Sequence, residues 1–80
     1  MEIFAQRLKQ LRLDKKLSQA KIAAEIGVSD TQYQNYEYGT SEPTLKVLVK
    51  LCQTLQCSLD YLAGLTDSPT APVQPQPPSN

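Results

Sequence analysis

The sequence predicts an all-α domain of five short helices followed by a flexible C-terminal tail. Three observations lead there. Apolar residues recur at three- and four-residue spacing through most of residues 3–62, with no alternating strand pattern and no internal repeat. Ser18, Ser29, Thr44 and Ser58 stand just ahead of apolar runs, where helix N-caps belong, and Gly27, Gly39 and Gly64 stand just behind them. Five of the six prolines fall in residues 66–80, a segment that cannot continue a helical domain.

Ile3, Phe4, Leu8 and Leu11, with Gln6, Arg7, Lys9 and Gln10 between them, describe an amphipathic first helix from about Ile3 to Asp14. Ser18 opens a second helix with Ile22, Ala23 and Ile26 on its buried stripe, and Gly27 ends it. Ser29 caps a third, where Gln32 three residues later completes a capping box. Gly39 and Pro43 mark an exposed connection. Thr44 begins a fourth helix with Leu45, Leu48, Leu51, Cys52 and Leu55 as its apolar set. Ser58 caps a short fifth, with Leu59 and Leu62 inward and Ala63-Gly64 as its stop. Residues 1–65 are therefore expected to fold as one domain. Residues 66–80, TDSPTAPVQPQPPSN, hold too little large apolar surface to offset their ordering entropy and are expected to form a Pro-rich disordered tail or linker.

Composition removes several functions. With no His and only two Cys, both at apolar positions, a tetrahedral zinc site would have to recruit carboxylates, and no metal is expected. Cys52 and Cys57 read as small core residues. There is no phosphate-cradling glycine loop, no catalytic triad and no convincing carboxylate pair, so no enzyme, no catalytic residue and no cofactor is expected. No run approaches the ~20 apolar residues of a membrane span, and the N-terminus lacks the order of a secretion signal. A soluble cytoplasmic protein is expected. The formal net charge is zero, but it is unevenly placed. Residues 1–25 hold six Lys or Arg against three acids, a net +3, and residues 26–45 hold only Asp30, Glu37 and Glu42, a net −3.

The informative window is Gln19–Tyr38. Two helices joined by a few residues, with glycine at the bend, make a helix-turn-helix. Ala23 is the small residue that lets the second helix approach, Gly27 is the turn, and Ile22, Ile26, Val28, Tyr33 and Tyr36 are apolar anchors. Together with RLKQLR (7–12), LSQAKIAAEIGVS (17–29), YEYG (36–39), PTLKVLVKL (43–51) and SLDYL (58–62), this pattern resembles the phage repressor and Cro-like helix-turn-helix family, also called Xre. The resemblance covers about residues 3–65. It implies a compact five-helix, lambda-repressor-like domain that binds double-stranded DNA as a homodimer on a palindromic operator. The third helix, about 29–38, would then lie in the major groove while the second crosses the backbone.

On that resemblance, Gln19 holds a phosphate or supports a base reader, and Asp30, Thr31 and Asn35 read bases, with Gln32 and Gln34 as further readers. Amides pair with adenine, Thr meets a thymine methyl, and Asp accepts from the cytosine amino group. Tyr38, Lys21, Thr40 and Lys46 complete the expected DNA-binding set. Relatives often carry a cation in the loop after the third helix. Here that loop is Thr40-Ser41-Glu42, so phosphate contact is assigned to the Gly39–Ser41 backbone N–H groups or to Arg7, Lys9, Lys15, Lys16 and Lys21. Arg12 and Glu37 match an ion pair that many relatives use to set the angle of the recognition helix, a structural role. The dimer contact is placed at the end of the fourth helix and the fifth, including Tyr61 and Leu65. The neutral charge keeps a second reading open: a protein-interaction module or antitoxin with a partner protein. A further domain beyond the tail is also compatible with the sequence.

Overall fold

A computed structural model describes residues 2–70. It contains five α-helices in chain order: α1 (Glu2–Asp14), α2 (Gln19–Ile26), α3 (Asp30–Tyr38), α4 (Leu45–Leu55) and α5 (Leu59–Ala63). No strand occurs among the described residues. None of these helices is long and apolar enough to cross a membrane.

The helix starts follow local chemistry. Ser18, Ser29, Thr44 and Ser58 have extended backbones, and each side-chain oxygen accepts from the N–H three residues on, so one otherwise unpaired donor per helix start is satisfied. At Ser29 only half of the expected capping box forms. Gln32 N–H donates to Ser29 Oγ at 3.0 Å, but the Gln32 amide turns away and donates to the Tyr36 hydroxyl at 3.3 Å. The helix ends are equally local. Gly27 and Gly39 sit at φ 80° and 79°, left-handed conformations that cost any residue with a Cβ. Space is not the constraint, since a Cβ on Gly39 would meet only Ala5 Cβ at 3.8 Å.

α4 ends without glycine: Gln56 takes the left-handed position at φ 56°. Its N–H and that of Cys57 both return to Cys52 O, a Schellman-type closure in which the side chains flanking the turn meet. This explains the Cys52/Cys57 pair. Cys57 is buried and Cys52 half-buried, both as free thiols, and burial pushes the Cys57 thiol up to about 12.

α1 packs on α3 and α5, α2 on α3 and α4, and α4 on α5. Their shared core is Phe4, Leu8, Ile22, Ala23, Ile26, Tyr33, Tyr36, Leu51, Leu55, Cys57 and Leu62. Tyr33 and Tyr36 meet edge-to-face at 6.3 Å between ring centres, the orientation that aromatic quadrupoles favour. Three residues that periodicity turns inward are not covered: Ile3, Leu45 and Leu59 are 37%, 68% and 39% exposed.

Beyond α5, residues 66–70 return along α1 and α5. Arg7 donates to Tyr61 O at 2.6 Å and Thr66 O at 2.7 Å, reaches Asp67 at 3.1 Å, and lies 4.1 Å from the centre of the Tyr61 ring. Ser58 N–H donates to Pro69 O at 2.9 Å. The chain assigned to the tail is thus held to the domain through Pro69. The rest of the expected tail, residues 71–80, lies outside the described residues.

Candidate nucleic-acid interface

α2 and α3 are tied into one unit by a buried polar knot at the end of α1. The Glu37 carboxylate accepts from Arg12 Nε and the Tyr33 hydroxyl on one oxygen, and from Arg12 Nη2 and Gln19 Nε2, each at 3.1 Å, on the other. The Arg12 and Glu37 side chains are 10% and 2% exposed. Arg12 Nη1 donates to Leu17 O at 2.8 Å, so the guanidinium also fixes the α1–α2 turn. Burial by itself would raise the Glu37 carboxyl. The hydrogen bonds from Arg12, Tyr33 and Gln19 outweigh it and hold the group below the usual carboxylate range. The Glu37 hydrogen bond raises the Arg12 guanidinium, and burial followed by the Glu37 contact pushes the Tyr33 phenol upward. At neutral pH the knot is an arginine cation, a carboxylate and a neutral phenol.

The knot orients α3. With Tyr33, Tyr36 and Glu37 buried, the helix presents the opposite side: Asp30, Thr31, Gln32 and Tyr38 are exposed, and Gln34 and Asn35 are half-buried. Beside it, Lys9, Ser18, Gln19 and Tyr38 line an open hollow of about 520 Å³ together with Arg12 and Glu37. Gln19, half-buried at the start of α2, spends one N–H on Glu37 and keeps its carbonyl oxygen and other N–H for an external group. Lys21 is exposed on α2. Lys46 is exposed on the first turn of α4, outside the hollow.

Three phosphate donors suggested by sequence are already committed. Gly39 N–H bonds to Asn35 O and Tyr36 O, and the N–H groups of Thr40 and Ser41 bond to Asn35 O at 3.0 and 3.3 Å. These groups close the end of α3 and do not form an open anion cradle. Thr40 is exposed, but its hydroxyl also turns to Asn35 O at 3.3 Å. Arg7 is held by α5 and the segment after it. Lys15 donates to Gln56 Oε1 at 3.0 Å, toward α4. Lys9 is the basic residue that the fold brings beside Gln19 and Tyr38.

Residues 8–62 match the family model described as Helix-turn-helix. The chain belongs to this helix-turn-helix family. It is 39% identical over 72 residues to the uncharacterized HTH-type transcriptional regulator YobD of Bacillus subtilis (strain 168), covering 90% of this chain and 64% of that one. With the cryptic phage CTXphi transcriptional repressor RstR of Vibrio cholerae (strain N16961) it shares 47% identity over 47 residues, 59% of this chain and 42% of that one. The P22 c2 repressor, solved in complex with synthetic operator 9T, superposes with a TM-score of 0.73 at 32% identity. That match covers 78% of this chain and 94% of the solved one. The resemblance to phage repressors and the all-helical fold are therefore borne out. The chain spans about half to two thirds of the length of YobD and two further Bacillus subtilis relatives, and less than half of RstR.

Sequence reasoning missed two contacts. One is the Gln19–Glu37 hydrogen bond, which couples the first residue of α2 to the last turn of α3. The other lies away from the helix-turn-helix surface, where Arg7 holds α5 and the segment after it. Both join residues remote in sequence, and no local spacing encodes them.

Proposed function

We propose that this chain is a sequence-specific, repressor-type transcriptional regulator that binds double-stranded DNA as a homodimer on a palindromic operator. The observation that carries the reading is the division of α3. One side is locked inward by the Arg12–Glu37–Tyr33 knot, leaving a side of short polar and amide groups beside the start of α2. In this reading Asp30, Thr31, Gln32, Gln34 and Asn35 face base edges in the major groove. Gln19, Tyr38 and Lys9 approach one strand's phosphates, and Lys21, Lys46 and the Thr40 hydroxyl lie toward the rims of the contact.

The P22 c2 repressor, solved with its operator, supports the placement of α3. The family is one of DNA-binding regulators, and catalysis has no part in the proposal.

Few cations face the proposed groove. Each neutralised phosphate contributes roughly −0.9 to the slope of log affinity against log salt, so the slope is expected to be shallow and a lone copy to bind weakly. Selection from random duplex DNA tests the proposal. A recovered consensus with two-fold symmetry and half-sites about one helical turn, ~34–36 Å, apart is the expected result. Recovery of no consensus would remove the DNA reading and leave the protein-interaction reading in its place.

A further inference from the structure

Two nucleophilic side chains stand outside the surface described above. Cys52 lies in the last turn of α4, and Cys57 comes just before the Ser58 cap of α5. The turn between them fixes their relation. Gln56 is left-handed at φ 56°, and Cys57 N–H donates to Cys52 O at 3.1 Å. In this kind of closure the side chains on either side of the helix end pack together. Any two small apolar residues could fill those places. Here both are free thiols, and the Cys57 S–H donates to Cys52 Sγ.

The two thiols differ in access. Cys57 is buried in the core, whereas Cys52 is half-buried at its edge. Burial raises both thiols. At Cys52 the Cys57 S–H works against that effect by favouring the Cys52 thiolate. At Cys57 the opposing charge is Lys15, whose ammonium reaches Gln56 Oε1 at 3.0 Å. The more accessible sulfur thus has a buried one as its immediate neighbour, the order of an attacking and a resolving thiol.

We propose that Cys52 and Cys57 form a dithiol modification site, at which a hydroperoxide converts the pair to an intramolecular disulfide. The Cys52 thiolate attacks the terminal oxygen of the hydroperoxide. An S–O bond forms and the O–O bond breaks. The departing alkoxide takes up the proton that Cys52 released and leaves as the alcohol, or as water when the oxidant is hydrogen peroxide. The Cys57 thiolate then attacks the Cys52 sulfur. The S–S bond forms, the S–O bond breaks, and hydroxide leaves with the Cys57 proton as water. Two electrons pass from the thiols to the hydroperoxide, and no other reactant is needed.

The raised thiols carry little thiolate at neutral pH, so the first step is slow and the site answers sustained exposure. The second step is fast by comparison. The sulfurs are already hydrogen-bonded, and an intramolecular attack outruns encounter with a second hydroperoxide or a second protein. The product ties the last turn of α4 to the residue before the α5 cap, and a thiol reductant reverses it by exchange. The site is independent of the operator reading, since neither cysteine lies on α3 or lines the hollow beside it.

Excess hydrogen peroxide added to the reduced full chain at mildly alkaline pH, followed by mass spectrometry, tests this. Wild type should become lighter by two hydrogens, remain a single copy without reductant, and regain both thiols with dithiothreitol. The loss should map to the one tryptic peptide that holds both cysteines, since no Lys or Arg follows Lys50. Dimedone, which captures sulfenic acids, should label Cys57→Ala at Cys52 and leave wild type unlabelled. Cys52→Ala should keep its buried thiol through the same exposure. A wild type that keeps both thiols would overturn the proposal, as would one that gains oxygen in place of losing hydrogen. Equal dimedone labelling of wild type and Cys57→Ala would also overturn it, because Cys57 would then resolve nothing. An unchanged circular dichroism spectrum qualifies each variant, and the wild-type mass decides the question where a variant fails to fold.

Discussion

Replacing Glu37 with glutamine probes the knot on which the whole surface depends. The substitution keeps the shape of the side chain and removes its charge. In the native protein the carboxylate accepts four hydrogen bonds, three of them from Arg12 and Tyr33, in surroundings where both ion-pair side chains are at most a tenth exposed. Removing one member of a buried pair costs about 3–5 kcal/mol, because the other charge is stranded. Two features place Glu37→Gln near the lower figure. The Arg12 guanidinium keeps its bond to Leu17 O, and the new amide retains one acceptor oxygen. A loss of about 3 kcal/mol corresponds to a fall of roughly 12–24 °C in melting temperature for a domain this size.

Thermal and urea denaturation followed by circular dichroism measure that loss. Replacing Arg12 with Met together with Glu37 by Leu should recover much of it, since exchanging a buried pair for apolar groups is often close to neutral. A loss below about 1 kcal/mol for Glu37→Gln, within the range of an exposed ion pair, would refute the assignment of this pair as the element that sets the angle of α3.

The knot, the buried thiol and the Arg7 contacts each have a measurable consequence. Glu37 has a lowered native carboxyl, so the unfolded state binds the proton more readily and the stability it contributes is complete above the ordinary carboxylate value of about 4.3. That contribution is lost as pH falls below this value, and the acid limb of a stability–pH curve should be flatter in Glu37→Gln than in wild type. Cys57, raised to about 12 by burial, should resist iodoacetamide at pH 8 in the native protein and react once urea unfolds it, as peptide mass mapping would show; equal rates in both states would contradict its burial. Arg7→Ala should lower stability by about 1–2 kcal/mol, through two carbonyl hydrogen bonds and the stacked Tyr61 ring, while leaving DNA affinity unchanged. A large loss of affinity with little loss of stability would return Arg7 to the phosphate-binding set.

What the sequence revealed and what it hid divide along the range of the interactions. Caps are local: Ser18, Ser29, Thr44 and Ser58 each bond three residues along, and Gly27, Gly39 and Gly64 close their own helices, so all five helices were readable within a residue or so. The split of α3 into Tyr33 and Tyr36 inside and Asp30 and Thr31 outside also follows from periodicity. The Arg12–Glu37 pair crosses 25 positions, and only the family resemblance pointed to it. Other distant choices were not legible. Arg7, a plausible phosphate contact by charge, goes to the end of α5, where the Tyr61 and Thr66 carbonyls and the Tyr61 ring lie within its reach. The N–H groups of residues 39–41 are consumed by Asn35 and Tyr36 in ending α3. Leu45 and Leu59 satisfy the helical pattern but border a groove that no described element fills.

If the outward side of α3 reads bases, the ratio of affinities for selected and scrambled duplexes must depend on it. Fluorescence anisotropy at one fixed salt concentration should give wild type a preference of at least about a thousandfold. In the Thr31→Ala, Asn35→Ala double variant that preference should collapse toward unity, with the melting temperature unchanged because neither side chain belongs to the core. A wild type that binds both duplexes alike, or a double variant that keeps the full preference, would contradict the account.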